Sequence, residues 1–332
     1  MSILSTQNLT IGYSKKGKTD VVQSELNLEL RAGELVCLIG PNGSGKSTLL
    51  RTLVGLQKSL SGKTAIDGKN IAGISQHEKA LLISLVLTDR VDVENATVKD
   101  IVSFGRHPYS NWWGNSTEED DKYVSEALEM VHIQKKANHY LNELSDGERQ
   151  RVMIAKALAQ DTPIIMLDEP TAHLDLPNRV EIMLLLHKLA HKTQKAILLS
   201  THELDLALQA ADRIWLMATD TGVECGVPED MVFNGSFNRT FESRSYFFNA
   251  DNGNFSMNYP MTGKVSVSGN KTRLYWTLRA LARAGFEVVE NADVRILVTE
   301  NGWQIENKTI SSVEDLLLEL THLVMIYTTP DI

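Results

Sequence analysis

The nonapeptide Gly40-Pro41-Asn42-Gly43-Ser44-Gly45-Lys46-Ser47-Thr48 follows the apolar run Leu35-Val36-Cys37-Leu38-Ile39 and fits the pattern G-x-x-x-x-G-K-[ST] in a strand-loop-helix setting. No other stretch constrains the fold as tightly, because the pattern demands a buried strand, a tight glycine-rich turn and a helix in that order. Three glycines let backbone N–H groups turn toward phosphates. Lys46 is then placed to reach the β and γ phosphates, and the Ser47 hydroxyl to ligate Mg²⁺. The segment predicts an α/β protein with a nucleoside triphosphate site.

A second constellation narrows the chemistry. Ile164-Ile165-Met166-Leu167 reads as a buried strand that ends in Asp168-Glu169-Pro170. Read alone, this could be a solvated turn. Beside a phosphate loop, Asp168 is a candidate to hold Mg²⁺ through water and Glu169 to polarise the water that attacks the γ-phosphate. A third stretch, Leu144-Ser145-Asp146-Gly147-Glu148-Arg149-Gln150, precedes Val152, Ala155, Leu158 and Ala159, which share one helical face. Ser145 and Glu148 form a Ser-x-x-Glu capping box, so the stretch predicts a helix start. A helix N-terminus with a hydroxyl, a glycine and free N–H groups also suits a γ-phosphate.

These motifs together resemble the ATP-binding cassette (ABC) family. Leu144 to Gln150 is similar to its signature L-S-G-G-Q, Gly40 to Thr48 to Walker A, and Ile164 to Glu169 to Walker B with its catalytic carboxylate. The resemblance places Tyr13 where an aromatic stacks on adenine, Thr171-Ala172-His173-Leu174-Asp175 where the family has Ser/Thr-x-x-Leu-Asp, and His202 of Ser200-Thr201-His202 at the switch histidine. Without it, Tyr13 reads rather as a core aromatic of a strand, and His202 rather as a capped loop residue. The implied cofactors are ATP and Mg²⁺, with Tyr13, Gly40 through Thr48, Ser145, Gly147 and Glu148 around the nucleotide, Ser47, Asp168 and Thr88 around the metal, and Glu169 and His202 catalytic.

The chain departs from the pattern at Asp146, where the family prefers Gly, and at Glu148, where it prefers Gln. Thr88 of Leu85-Val86-Leu87-Thr88-Asp89 stands where the family's strand ends in a metal-touching glutamine; its shorter side chain bears on metal sensing and on coupling to the transport partner.

The stretch from Ala96 to Tyr109, with Gly105-Arg106-His107-Pro108-Tyr109, resembles the T-V-x-x-x-V-x-x-G-R-x-P-[YW] segment of importers for ferric siderophores, haem and cobalamin. That branch carries it in the helical subdomain beside the permease. Asn111-Trp112-Trp113-Gly114 adds aromatics that would anchor a partner or pack under a loop, and Ser116-Thr117-Glu118-Glu119 starts a further helix bearing Val124, Ala127, Leu128 and Val131 on one face.

The expected organisation is an ABC ATPase domain over residues 1–235, with its helical subdomain at about 90–160, and a small α+β accessory or regulatory domain over 236–332. Two Asn-Gly pairs, in Asp251-Asn252-Gly253-Asn254 and Glu300-Asn301-Gly302-Trp303, predict hairpins. Leu274, Leu278 and Leu281 predict a helix ending at Gly285, and Ser311-Ser312-Val313-Glu314 caps another with Leu316, Leu317 and Leu320. Gly269-Asn270-Lys271-Thr272, between a strand-like run and a helix, superficially suggests another phosphate loop but lacks its first glycine.

Composition excludes little, but what it excludes matters. A net charge of -9 argues against a broad nucleic-acid surface, and two cysteines, one inside an apparent core strand, give no disulfide framework and fit a reducing cytoplasm. No apolar run reaches membrane-spanning length. The resemblance therefore implies a peripheral protein at the cytoplasmic face of the inner or plasma membrane. Its implied partners are a second copy that completes the ATP sandwich, integral membrane permease subunits and, indirectly, a substrate-binding protein; no nucleic acid is expected. The alternatives are a soluble ABC-type ATPase acting on a ribosome, nucleic-acid or assembly complex, and a nucleotide-gated regulatory module without transport.

Overall fold

The computed structural model describes residues 2–15, 18–87, 93, 95–110, 117–219, 222–241 and 243–328. Thr88 and the Asn111-Trp112-Trp113-Gly114 stretch lie outside these described residues. The chain divides into two units, residues 1–242 with 248–254, and residues 243–247 with 255–332.

In the first unit, β1 (Ser2–Lys15) pairs antiparallel with β2 (Lys18–Leu26), β3 (Glu29–Arg31) and, beyond β4 (Leu35–Ile39), with β5 (Ser61–Ile66), which itself pairs with β6 (Lys69–Asn70). Helix α1 (Lys46–Leu53) follows β4 directly across the glycine-rich loop. Then come α2 (Gln76–Leu82), β7 (Ile83–Val86), α3 (Val98–Ser103), α4 (Glu118–Met130), α5 (Asp146–Ala159), β8 (Ile164–Asp168), α6 (Leu176–Thr193), β9 (Ala196–Ser200), α7 (Leu204–Ala210), β10 (Arg213–Met217) and β11 (Val223–Gly226). Helices α8 (Pro228–Phe233) and α9 (Ser236–Phe241) come next, and strand β12 (Tyr246–Asn249) draws residues from both units.

The second sheet of this unit positions the site. Its strand order is β11-β10-β4-β9-β8-β7, with parallel pairing throughout except for the antiparallel edge strand β11. All five residues of β4, of β8 and of β9 are buried, which is why these strands read as unbroken apolar runs rather than as alternating ones. The period-two geometry of a strand still operates. Leu35, Cys37 and Ile39 enter a core shared with α3 to α6, whereas Val36 and Leu38 enter a core shared with α1 and the antiparallel sheet. Covering both faces leaves the carboxyl ends of the strands as the open edge, where an α/β sheet carries its ligand.

Capping boxes start α3, α4 and α5. Thr97 caps α3 with Asp100, Thr117 caps α4 with Asp120, and Ser145 caps α5 with Glu148. The stretch from Ala96 to Tyr109 has a packing role: Gly105 and Arg106 are both buried, and the Arg106 guanidinium bonds Asp120 Oδ1 at 2.8 Å and the Ala159 carbonyl at 2.8 Å. Tyr109 and Tyr123 lie 3.9 and 4.1 Å from that guanidinium, ring centre to cation. This one side chain thus joins the 3₁₀ turn after α3 to α4 and α5.

In the second unit β13 (Asn254–Met257) is followed by β14 (Gly263–Gly269), α10 (Lys271–Arg283), β15 (Phe286–Val288), β16 (Arg295–Val298), β17 (Trp303–Ile305), β18 (Lys308–Ile310) and α11 (Val313–Thr328). The sheet order is β15-β14-β16-β17-β18; β14 runs parallel to β15 and β16, and the rest is antiparallel. Both Asn-Gly pairs fall in turns, one between β12 and β13 and one between β16 and β17. Gly285 follows α10 with φ 83°, and Asn270 caps that helix through Arg273 N, so the Gly269-Asn270-Lys271-Thr272 turn is occupied by a structural cap. Val265, Leu281, Ile296, Trp303, Leu316 and Leu320 form the core of this unit, where Trp303 Nε1 donates to Thr277 Oγ1 at 2.8 Å. The predicted α/β cassette fold with a small α+β unit is the observed one.

Candidate nucleotide site

At the carboxyl end of β4 the loop from Gly40 to Gly45 wraps the head of α1. Gly45 is the N-cap residue with φ 106°, a left-handed conformation open to glycine, and no side chain caps the helix. The first-turn N–H groups of α1 are therefore left for an anion. Lys46 is 6 % exposed, and its ammonium donates to the carbonyls of Gly40 at 2.8 Å and Pro41 at 3.1 Å. Burial lowers its pKa, while the nearby carboxylates of Glu169 and Asp168 act in the opposite direction. Asn42 and Gly43 are exposed, and nothing lies within 4 Å of the Cβ position at Gly43, so the mouth of the loop is open. The Ser44 hydroxyl is buried without a hydrogen-bond partner. A buried orphan hydroxyl inside a cradle of N–H groups fits a phosphate oxygen.

Tyr13 is 51 % exposed and its hydroxyl lies 2.8 Å from Thr48 Oγ1. The core reading of Tyr13 is thereby set aside: its ring is solvent-accessible beside the loop. Ser47 Oγ donates to Asp168 Oδ1 at 3.3 Å, and Ser200 Oγ donates to the same carboxylate oxygen at 2.6 Å. Asp168 and Ser200 thus end the adjacent strands β8 and β9, Ser47 lies in the first turn of α1, and the hydroxyl-carboxylate set is of the hard oxygen type that Mg²⁺ takes.

One residue further on, the Glu169 N–H donates to Ser200 Oγ at 3.0 Å, and Glu169 adopts φ 50°. Its carboxylate lies 2.6 Å from His202 Nε2. A non-glycine residue in the left-handed region costs about 1 kcal/mol or more, and here the Ser200 bond and the following Pro170 hold it. The structure therefore brings Lys46, Ser47, Asp168, Glu169 and His202 to one edge of the sheet.

The signature residues are placed elsewhere. Ser145 Oγ accepts from Glu148 N, and the Glu148 carboxylate accepts from Ser145 N at 3.1 Å and from Lys136 Nζ at 2.5 Å. Lys136 is the main reason that the Glu148 carboxyl is held below its ordinary pKa, against a smaller opposing effect of burial. Among the described residues, the side-chain hydrogen bonds of Ser145 and Glu148 run to each other's backbone and to Lys136, none to the phosphate loop. Gly147 faces Asn178, whose Oδ1 would lie 2.5 Å from a Cβ at that position; Asn178 is itself held by Asp175 Oδ1, the N-cap of α6.

Sequence reasoning missed Lys136, Ser200 and Asn178 as members of these clusters. Ser200 had a visible signal, a polar residue ending a fully apolar strand. Lys136 and Asn178 had none, since each reaches its partner across a turn of unrelated sequence.

A family model described as ABC transporter matches residues 23–172, and one described as iron ABC transporter C-terminal domain matches residues 262–321. An uncharacterized ABC transporter ATP-binding protein of Methanocaldococcus jannaschii is 38 % identical over 290 residues, covering 86 % of this chain and 98 % of that protein. The iron(3+)-hydroxamate import ATP-binding protein of Bacillus subtilis is 33 % identical over 242 residues, 73 % of this chain and 88 % of its own. A solved dimeric ATP-binding cassette in a post-hydrolysis state, bound to ADP and phosphate, is similar with a TM-score of 0.57 at 32 % identity, covering 67 % of this chain and 96 % of that one.

Proposed function

The chain belongs to the family of ABC transporter ATP-binding proteins, and from that premise we propose that it is the ATP-hydrolysing subunit of an importer for an iron chelate, haem or cobalamin. One observation carries the reading: Lys46, Ser47, Asp168, Glu169 and His202 converge at the carboxyl ends of β4, β8 and β9, where a triphosphate laid on the α1 N-terminus would meet them.

In this reading Tyr13 stacks on the adenine, and Gly40 to Thr48 enclose the phosphates. Ser47 and Asp168 hold Mg²⁺, which neutralises phosphate charge when bound. Glu169 accepts the proton of the attacking water, and His202, hydrogen-bonded to that carboxylate, keeps it aimed. The strained backbone of Glu169 supports such a role, because it projects the carboxylate off the strand end at a fixed angle.

The site of one chain is incomplete. Ser145, Gly147 and Glu148 make no hydrogen bond to the phosphate loop of their own chain among the described residues, which favours a homodimer in which the signature helix of one copy closes on the nucleotide of the other. ATP-driven closure would then move separate membrane permease subunits at the cytoplasmic face, with a substrate-binding protein delivering the ligand. Among the described residues no helix is long and apolar enough to cross a membrane. An ATPase domain over residues 1–235 and an accessory domain over 236–332 are part of the same proposal; the iron-transporter C-terminal match within residues 262–321 supports it.

Isolation of tagged Glu169→Gln from membranes in the presence of ATP tests the reading. Co-purification of a polytopic permease is the expected result. Recovery of ribosomes or a soluble assembly instead would retain the ATPase chemistry and overturn the transport role. Normal turnover in this variant would refute the assignment of Glu169.

A further inference from the structure

At the opposite end of the sheet from the nucleotide, His187, His191 and Asp212 bring one ligand atom each within 4.8 Å of one another. His187 and His191 are one turn apart on α6, so both rings leave the same face, with centroids 4.5 Å apart. Asp212 comes from the loop between α7 and β10.

Three further contacts orient the set. His187 Nδ1 lies 2.8 Å from the Ala210 carbonyl; a carbonyl can only accept, so Nδ1 carries the proton and Nε2 keeps its electron pair. Asp212 Oδ2 accepts from Leu35 N at 2.8 Å, at the amino end of β4, leaving Oδ1 directed at the histidines. His191 Nε2 stands 3.1 Å from that Oδ1. Two ligands of a tetrahedral Zn²⁺ shell are about 3.3 Å apart, so this spacing needs little change to accept an ion. A ring N–H given to a backbone carbonyl, and a carboxylate fixed through its second oxygen, are the outer contacts that metal ligands need.

We propose that His187, His191 and Asp212 form a binding site for a divalent transition-metal ion, separate from the Mg²⁺ site of the nucleotide. Two imidazoles and one carboxylate select a borderline ion such as Zn²⁺ over Mg²⁺, which takes oxygen ligands. Three protein ligands leave a fourth position for water. Binding replaces the His191–Asp212 hydrogen bond and ties the end of α6 to the start of β4 and of β10.

Zn²⁺ titration of the metal-stripped full chain, read by calorimetry and by metal content after dialysis, tests this. One Zn²⁺ per chain that excess Mg²⁺ does not displace is expected, with affinity falling about tenfold or more in His191→Gln and in His187→Gln. Since His191 is half exposed, His191→Gln leaves the packed core intact, and unchanged circular dichroism and nucleotide binding verify each variant. Co²⁺ supplies a second readout: a visible absorption band in the native chain that is missing from both variants. Absence of Zn²⁺ binding, or binding and Co²⁺ absorption unchanged in folded His191→Gln, would overturn the proposal.

Discussion

His202 Nε2 and Glu169 Oε1 meet at 2.6 Å, and Glu169 reaches this position from a left-handed backbone with φ 50°. The pair therefore combines local strain with an oriented carboxylate. Replacing Glu169 by Gly removes the strain and the carboxylate together. ATP turnover is expected to fall about 100-fold or more while the melting temperature stays level or rises, because the relieved strain offsets the added freedom of the unfolded chain. His202→Ala leaves the carboxylate unaimed, and its loss is expected in kcat, with nucleotide affinity retained. Single-turnover kinetics beside nucleotide titration separates the two effects.

Lys136 and Glu148 predict a rescue. Lys136→Met leaves the Glu148 charge without its partner at a helix start proposed to face a γ-phosphate, so the KM for ATP should rise. For a pair whose side chains are 38 % and 31 % exposed the change is modest, about fivefold at low salt, and it should shrink as salt is added. Adding Glu148→Gln to that variant should bring KM back. A double variant as impaired as Lys136→Met would show that Lys136 acts by another route.

The Arg106–Asp120 pair predicts acid sensitivity. The Arg106 hydrogen bond is the chief reason that Asp120 sits below its ordinary value of 3.8, against burial, with Thr117 helping. A depressed carboxylate stabilises the fold above its unfolded pKa, and that contribution is lost as pH falls through the lower folded value. Thermal melts below pH 3.8 should therefore show a destabilisation that Asp120→Asn lacks. At neutral pH, Arg106→Met should cost about 3 kcal/mol, because it leaves a buried carboxylate without its cation.

Gly105 predicts a packing defect without a site defect. A Cβ there would stand 2.3 Å from the Lys156 carbonyl oxygen on α5, which is backbone and cannot turn away. Gly105→Ala should destabilise the chain by about 1–3 kcal/mol in denaturant unfolding. Nucleotide affinity should be unchanged, since among the described residues Arg106 and Tyr109 of this turn bond Asp120, Ala159 and Gln160.

The sequence by itself determined the sheet and the nucleotide edge. Buried parallel strands must be continuously apolar, so β4, β8 and β9 announced themselves. The glycine-rich loop, the Asp168-Glu169 pair and the Ser145–Glu148 capping box were legible because each rests on neighbours along the chain, where spacing translates directly into geometry. The same holds for the two Asn-Gly turns and the end of α10 at Gly285.

Tertiary structure decided what lies between distant segments. Whether Tyr13 faces solvent or core, that Ser200 bonds both Asp168 and the Glu169 backbone, that Lys136 neutralises the unusual Glu148, and that Arg106 pins three elements were all set by packing. So was the meeting of His187 and His191 with Asp212, twenty-one residues beyond His191. Local pattern fixes the direction in which a strand or helix presents its side chains, but an ion pair or a ligand set forms only when the fold closes the distance. That closure depends on the burial of apolar surface over the whole unit, which no short motif records.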